Sequence, residues 1–157
     1  MQVGLSVVAA DALARSYFFR DHLPVAVARP FNLIGPGQST AFVCGRIISQ
    51  IVRIEEGYQD SLELNSVETG RDFIDVRDVV RAYWSILDHE EFEEVCSGRA
   101  FNVGSGRCTT ISEILQVLEQ ITGKQIPLRI TGSGPGISSS PRRVILDSSR
   151  DRQDGVQ

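Results

Sequence analysis

Lysine is almost missing from this chain: Lys124 is the sole lysine among 16 basic residues. A surface whose cations are arginines suits anions, because a guanidinium grips phosphate with a planar fork that an ammonium lacks. Genomic base composition is the plainer account of the same bias. Cysteine is scarce and unpatterned. Cys44, Cys96 and Cys108 are an odd number with no Cys-x-x-Cys spacing, which argues against a zinc site or a disulfide framework and fits reduced thiols in a cytoplasmic protein. No apolar run approaches bilayer length, and the start lacks the basic segment and cleavage site of a signal peptide. Neither a membrane partner nor export is therefore expected. The net charge of −4 lacks the basic excess of nucleic-acid binders. His22 and His89 fall at predicted helix ends, where a cation suits the helix dipole. No Ser/His/Asp constellation or metal-ligand spacing can be built around them.

What is present suffices for a core: 157 residues, 41% hydrophobic and 23% charged, are globular rather than disordered proportions. Apolar residues at three- and four-residue steps predict a helix over 4–20. Val25 to Ala28 suits a buried strand of a parallel sheet, and Gly35-Pro36-Gly37 forces a loop. A second helix is predicted over 41–56, with strands at 61–64 and 71–76. Asp75 or Asp78 then opens a helix to about His89, with Val79, Val80, Tyr83, Ile86 and Leu87 facing inward. Phe101 to Val103 is a brief strand before the Gly104-Ser105-Gly106 turn, and Thr110 with Glu113 makes a capping box ahead of the last helix. Strands at 126–130 and 144–146 flank a Gly/Ser/Pro-rich loop, and residues 151–157 form a frayed tail. The alternation gives an α/β class with one domain over 1–150.

Four places offer chemistry. Arg71 opens an apolar strand and can reach a ligand at its end, clamping a diphosphate through paired N–H bonds; alternatively it is a surface arginine paired with Asp72 or Asp75. Asn32 follows the Val25–Arg29 strand, where ligands bind in open α/β sheets, or it only ties the loop backbone. Ser39 to Arg46 precede and open the second helix, whose N–H groups favour anions. Arg46 itself reads more simply as a solvated helix-face arginine. Glycine clusters at 104–106 and 132–136 lack the three-glycine spacing and following helix of a dinucleotide fingerprint, so turns are the better reading.

Residues 29–38, Arg-Pro-Phe-Asn-Leu-Ile-Gly-Pro-Gly-Gln, and 71–80, Arg-Asp-Phe-Ile-Asp-Val-Arg-Asp-Val-Val, together resemble the nucleotide-sugar-binding part of an extended short-chain dehydrogenase/reductase. The resemblance is to the GDP-mannose 4,6-dehydratase and GDP-4-keto-6-deoxymannose reductase branch of the NAD-dependent epimerase/dehydratase family, and it covers residues 3–150. It implies a partial Rossmann-like domain without the N-terminal dinucleotide-binding half, joined to a small substrate-binding lobe. It implies substrate contacts by Asn32, Ser39, Arg46 and Arg71, and by Arg150 within the Asp147-Ser148-Ser149-Arg150 segment. Where the family carries an Arg-Pro-x-Glu segment, Ile137 and Ser140 stand in the charged places. The family's catalytic Tyr-x-x-x-Lys is replaced: Ser6 and Ala9-Ala10-Asp11 match, but Val3 occupies the tyrosine position and Val7 the lysine position. Valine can neither give nor take a proton. The resemblance thus implies a nucleotide-sugar partner, no catalytic residue in this chain, and no cofactor for this chain alone, although complete family members use NAD(P). It also leaves three roles open: a non-catalytic binder, an enzyme part completed by a missing N-terminal half, or a self-associating structural module. A homo-oligomer is expected because exposed apolar surface and sheet edges promote association.

Overall fold

Local capping and strand periodicity carry through into the computed structural model, which describes residues 2–132, with side chains from Ser6 onward. The chain forms α1 (Gln2–Asp21), β1 (Val27–Pro30), β2 (Asn32–Ile34), α2 (Val43–Glu55), β3 (Leu62–Leu64), β4 (Gly70–Asp75), α3 (Val76–Leu87), a π-helical turn (Phe92–Cys96), β5 (Ala100–Val103), β6 (Cys108–Thr110), α4 (Ile111–Thr122) and β7 (Leu128–Ile130). The predicted strand at 144–146, the tail and Arg150 lie outside the described residues. Where the sequence suggested one domain, the described part falls into two compact units, 2–33 with 74–104 and 34–73 with 105–132. The chain passes from one to the other within β2, within β4 and after Gly104.

In the first unit β1 and β5 run parallel, Val27 opposite Ala100 through Pro30 opposite Val103. Asp11 on α1 takes the Arg29 guanidinium at 2.7 Å. Near the end of α1 the Phe18 ring fills the space beside Gly98, whose φ of 75° suits glycine; a Cβ there would lie 2.7 Å from Phe18 Cδ1. A small core of Ile74, Val79 and Val103 is completed by Ala28, Ala82 and Tyr83. Asp75 caps α3, accepting from the Arg77 N–H at 2.8 Å.

Three expectations fail here. The parallel pairing of β1 is right, but the strand is not buried: Val27 and Ala28 are half-buried and Arg29 and Pro30 exposed. Its one neighbour among the described residues is β5. On α1, Val7, Val8, Leu13 and Phe19 are each more than half exposed, so the predicted inward face is largely open. On α3, Val79 is buried and Tyr83 and Ile86 are half-buried, but Val80 and Leu87 face out. The helix has apolar residues on two sides, and periodicity alone does not say which side meets the core.

The second unit is better filled. Ile47, Ile51, Leu62, Leu64, Ile111 and Leu115 form its core, flanked by Val43, Phe73, Ile114 and Leu118. Each such side chain contributes about 1.5–3 kcal/mol when fully buried. β3 pairs parallel with β7, Leu62 opposite Leu128, and β4 antiparallel with β6, Gly70 opposite Thr110. Gln50 on α2 ties the β3 edge, accepting from the Glu63 N–H at 2.8 Å and donating to its carbonyl at 3.2 Å. The predicted capping box is present: the Glu113 N–H donates to Thr110 Oγ1 at 3.1 Å, and the Thr110 N–H to Glu113 Oε2 at 2.6 Å. Those bonds from Thr110 hold the Glu113 carboxyl below its ordinary range. Gly123, at φ 67°, ends α4 in a left-handed cap.

Candidate anion-binding site

Arg71 is the second residue of β4, where the pleat sends Gly70, Asp72 and Ile74 inward and Arg71 outward. Its backbone is held from both sides. Gly70 packs so closely on β6 that a Cβ would lie 2.7 Å from Cys108 Sγ. Asp72 is only 7% exposed. Its Oδ1 accepts from the Ser105 N–H at 2.8 Å and from Ser105 Oγ at 2.7 Å, and its Oδ2 accepts from the Gly106 N–H at 3.0 Å. A carboxylate with that many donors is a stable buried anion rather than a free partner for a cation.

The two carboxylates that the sequence offered to Arg71 are thus engaged elsewhere. Asp72 holds the Ser105–Gly106 turn. Asp75, besides capping α3, accepts both Arg77 Nε at 2.9 Å and Arg77 Nη2 at 2.7 Å, which push its carboxyl far below the usual range. Arg71 donates from Nη1 to its neighbour's carbonyl, Gly70 O, at 2.9 Å. It takes part in no ion pair among the described residues. An exposed guanidinium on a fixed strand, with no carboxylate on it, is a ready anion ligand.

Ser39 and Arg46 meet around the first turn of α2. Ser39 Oγ accepts from the Ala41 N–H at 3.2 Å, and the Ser39 carbonyl accepts from the Phe42 N–H at 3.1 Å. The segment folds so tightly over the helix that a Cβ on Gly45 would lie 2.6 Å from Gln38 O and closer still to Ser39 O. Arg46 Nε makes a long 3.4 Å bond to Thr40 O, and its side chain is exposed. Phe42 at the N-cap supplies no side-chain cap, and the first turn holds no acidic residue, so first-turn N–H groups are left for another acceptor. Burial pushes the Cys44 thiol up, which keeps it protonated at neutral pH. No hydrogen bond or ion pair links Arg71 to Ser39 or Arg46 among the described residues.

Asn32 belongs to the first unit, exposed at the first position of β2 rather than in a loop after β1. Val7, at the lysine position, is 61% exposed on α1. The side chain of Val3 and all of Arg150, Ile137 and Ser140 lie outside the described residues. The sequence missed Asp72 and Ser105 as the pair that fixes Arg71. The available signal was a Gly-Ser-Gly turn following a strand, with a buried acid next to the arginine. That same turn bears on the cofactor: the Ser105 and Gly106 N–H groups, the nearest approach to a glycine cradle for a pyrophosphate, are occupied by Asp72. These residues do not fit a dinucleotide.

The profile of the GDP-mannose 4,6-dehydratase family matches residues 4–155. The chain belongs to that family. Over 145 residues it is 39% identical to the GDP-6-deoxy-D-mannose reductase of Pseudomonas aeruginosa, covering 92% of this chain and 45% of the reductase. The structure of RMD from Pseudomonas aeruginosa complexed with NADPH superposes with a TM-score of 0.71 at 36% identity, over 80% of this chain and 42% of that one. UDP-glucuronic acid 4-epimerase from Bacillus cereus, in complex with UDP-glucuronic acid and NAD, shares the fold with a TM-score of 0.68 at 24% identity, over 80% of this chain and 38% of its own. The family member thus spans less than half the length of the relatives it matches, and its fold is the Rossmann-like α/β fold of the epimerases and reductases.

Proposed function

We propose that this chain is the nucleotide-sugar-recognition portion of an NAD(P)-dependent dehydratase, epimerase or reductase, and that it is catalytically inactive alone. The observation that carries the reading is Arg71: exposed, held on a fixed strand, and free of both adjacent carboxylates. In this reading Arg71 grips the diphosphate through charge-assisted bonds, about 1.5–3 kcal/mol each. Ser39 and the uncapped start of α2 line the nucleoside and phosphate, and Arg46 adds charge. Asn32 and Arg150 complete the set as substrate contacts.

Redox chemistry has no agent here. NAD(P) supplies hydride transfer in complete family members, but the glycine turn in this chain is filled by Asp72. Val3 and Val7 put no acid or base in the Tyr-x-x-x-Lys positions. Catalysis would need a second polypeptide region that brings both the dinucleotide cradle and a proton donor. The exposed apolar faces of α1 and α3 favour a second reading, in which the fold serves self-association.

Titration calorimetry with GDP-mannose, UDP-glucose, dTDP-glucose and NADP separates these readings. Sugar-nucleotide binding without NADP binding supports the proposal, and Arg71→Ala should then weaken that binding roughly ten- to hundredfold. Binding of neither ligand supports the structural reading. Turnover of NADP by the isolated chain overturns the proposal.

A further inference from the structure

Helix α3 carries two apolar stripes. One, through Val79, Ala82 and Tyr83, packs into the first unit's core. The other runs through Val76, Val80, Trp84 and Leu87, which are 38%, 60%, 67% and 67% exposed. Steps of four, four and three residues put those four side chains on one face over about 16 Å of helix. A tryptophan two-thirds exposed in the middle of such a stripe is the residue type most enriched at the energetic centre of interfaces.

The ends of the stripe differ in charge. The first turns present the Arg77 and Arg81 guanidinium groups, whose side chains are 72% and 78% exposed. Their intrachain partners are Asp75 and Asp78, and such solvent-exposed pairs are worth little and re-pair readily. At the other end lies an open depression with an apolar floor of Pro24, Leu87 and Phe92 and an acidic rim of Glu90, Glu93 and Glu94. None of those three glutamates takes part in an ion pair among the described residues. The nearby Arg99 donates to the Glu94 backbone carbonyl at 3.4 Å, not to a carboxylate. An apolar floor under an acidic rim suits a side chain with an aliphatic stem and a cationic head, which describes arginine.

We propose that this face is a two-fold interface between copies of the chain, with α3 packed antiparallel against α3 of a second copy. An axis near the middle of the stripe sets Trp84 of each copy against Val80 of the other. The same operation carries each Arg77 to the other copy's acidic depression and each Arg81 toward the other copy's Trp84 face, a cation–π arrangement. The pattern is self-complementary, cationic at one end, acidic at the other and apolar between, as an isologous interface requires. Antiparallel helix dipoles add to the attraction. The inference does not depend on the sugar-nucleotide reading.

Sedimentation equilibrium and light scattering on the 157-residue chain test it. A dimer is expected, weakened by salt because its ends are ion-paired. Trp84→Glu and Arg77→Glu should each raise its dissociation constant at least tenfold, with circular dichroism unchanged because both side chains are exposed. Combining Arg77→Glu with Glu90→Arg and Glu93→Arg should restore the dimer. Leu13→Glu, on the exposed face of α1, should leave it intact. A chain that stays monomeric at high concentration overturns the proposal. So does a dimer broken by Leu13→Glu and spared by Trp84→Glu, and so does a charge swap that fails to restore association.

Discussion

The two units of this chain are similar in size and unlike in how they are held. The second closes around six buried aliphatic side chains, with α4 capped at both ends and α2 stitched to β3 by Gln50. The first has three buried side chains, one parallel strand pair and a 20-residue helix with most of its large apolar residues in solvent. Stability resides where apolar area leaves water. The second unit therefore contains its own reasons to fold, whereas the first presents surface that gains from being covered. The contrast also separates rigidity from association: the arginine proposed for ligand binding stands on the well-packed unit, and the stripe proposed for self-association stands on the sparsely packed one.

The largest test of that contrast is a matched pair of truncations. Ile47→Ala, at a fully buried site, should cost about 2–5 kcal/mol, whereas Leu13→Ala on the open face of α1 should stay within about 0.5 kcal/mol. Urea unfolding of both variants checks this, and equal losses would erase the distinction. Next is Asp72→Ala, which leaves the Ser105 and Gly106 N–H groups without their acceptor and should cost about 1–3 kcal/mol for each donor left buried. A neutral result by the same assay would mean that the turn is not held by the carboxylate. Thr110→Ala should then cost about 1 kcal/mol through loss of the α4 cap.

The pH response of that cap is a finer probe. Because the folded carboxyl of Glu113 is lowered, its stabilisation is fully present above the ordinary glutamate value, about 4.3, and is lost as pH falls through the lowered folded value. The stability difference between the native chain and Glu113→Gln should therefore be flat from pH 6 to 8 and shrink on acidification below about pH 4. A difference that grows on acidification would reverse the assigned sign. Smallest in amplitude, native-state hydrogen exchange should find the amides of α1 less protected than those of α2 and α4.

Much of the fold was legible because its signals are local. The capping box spans three residues, Gly123 sits where a left-handed cap ends α4, and the strand–helix alternation runs in short stretches whose edges the structure moves by only a few residues. The inward side of α3 was not legible, because Val79 and Val80 are equally apolar and only packing distinguishes them. The site divides in the same way. Arg71 stood out in its motif, while the bond from Ser105, 33 residues along the chain, that occupies Asp72 did not.

Residue order alone settled which segments become helix, strand or turn here, and that no acid or base occupies the Tyr-x-x-x-Lys positions, since these depend on neighbours within a few bonds or on identity itself. Only the tertiary structure decided which carboxylates are free, which helix faces meet water and which arginine lacks a partner. Those outcomes depend on groups far apart in the chain competing for the same hydrogen bonds and the same limited interior.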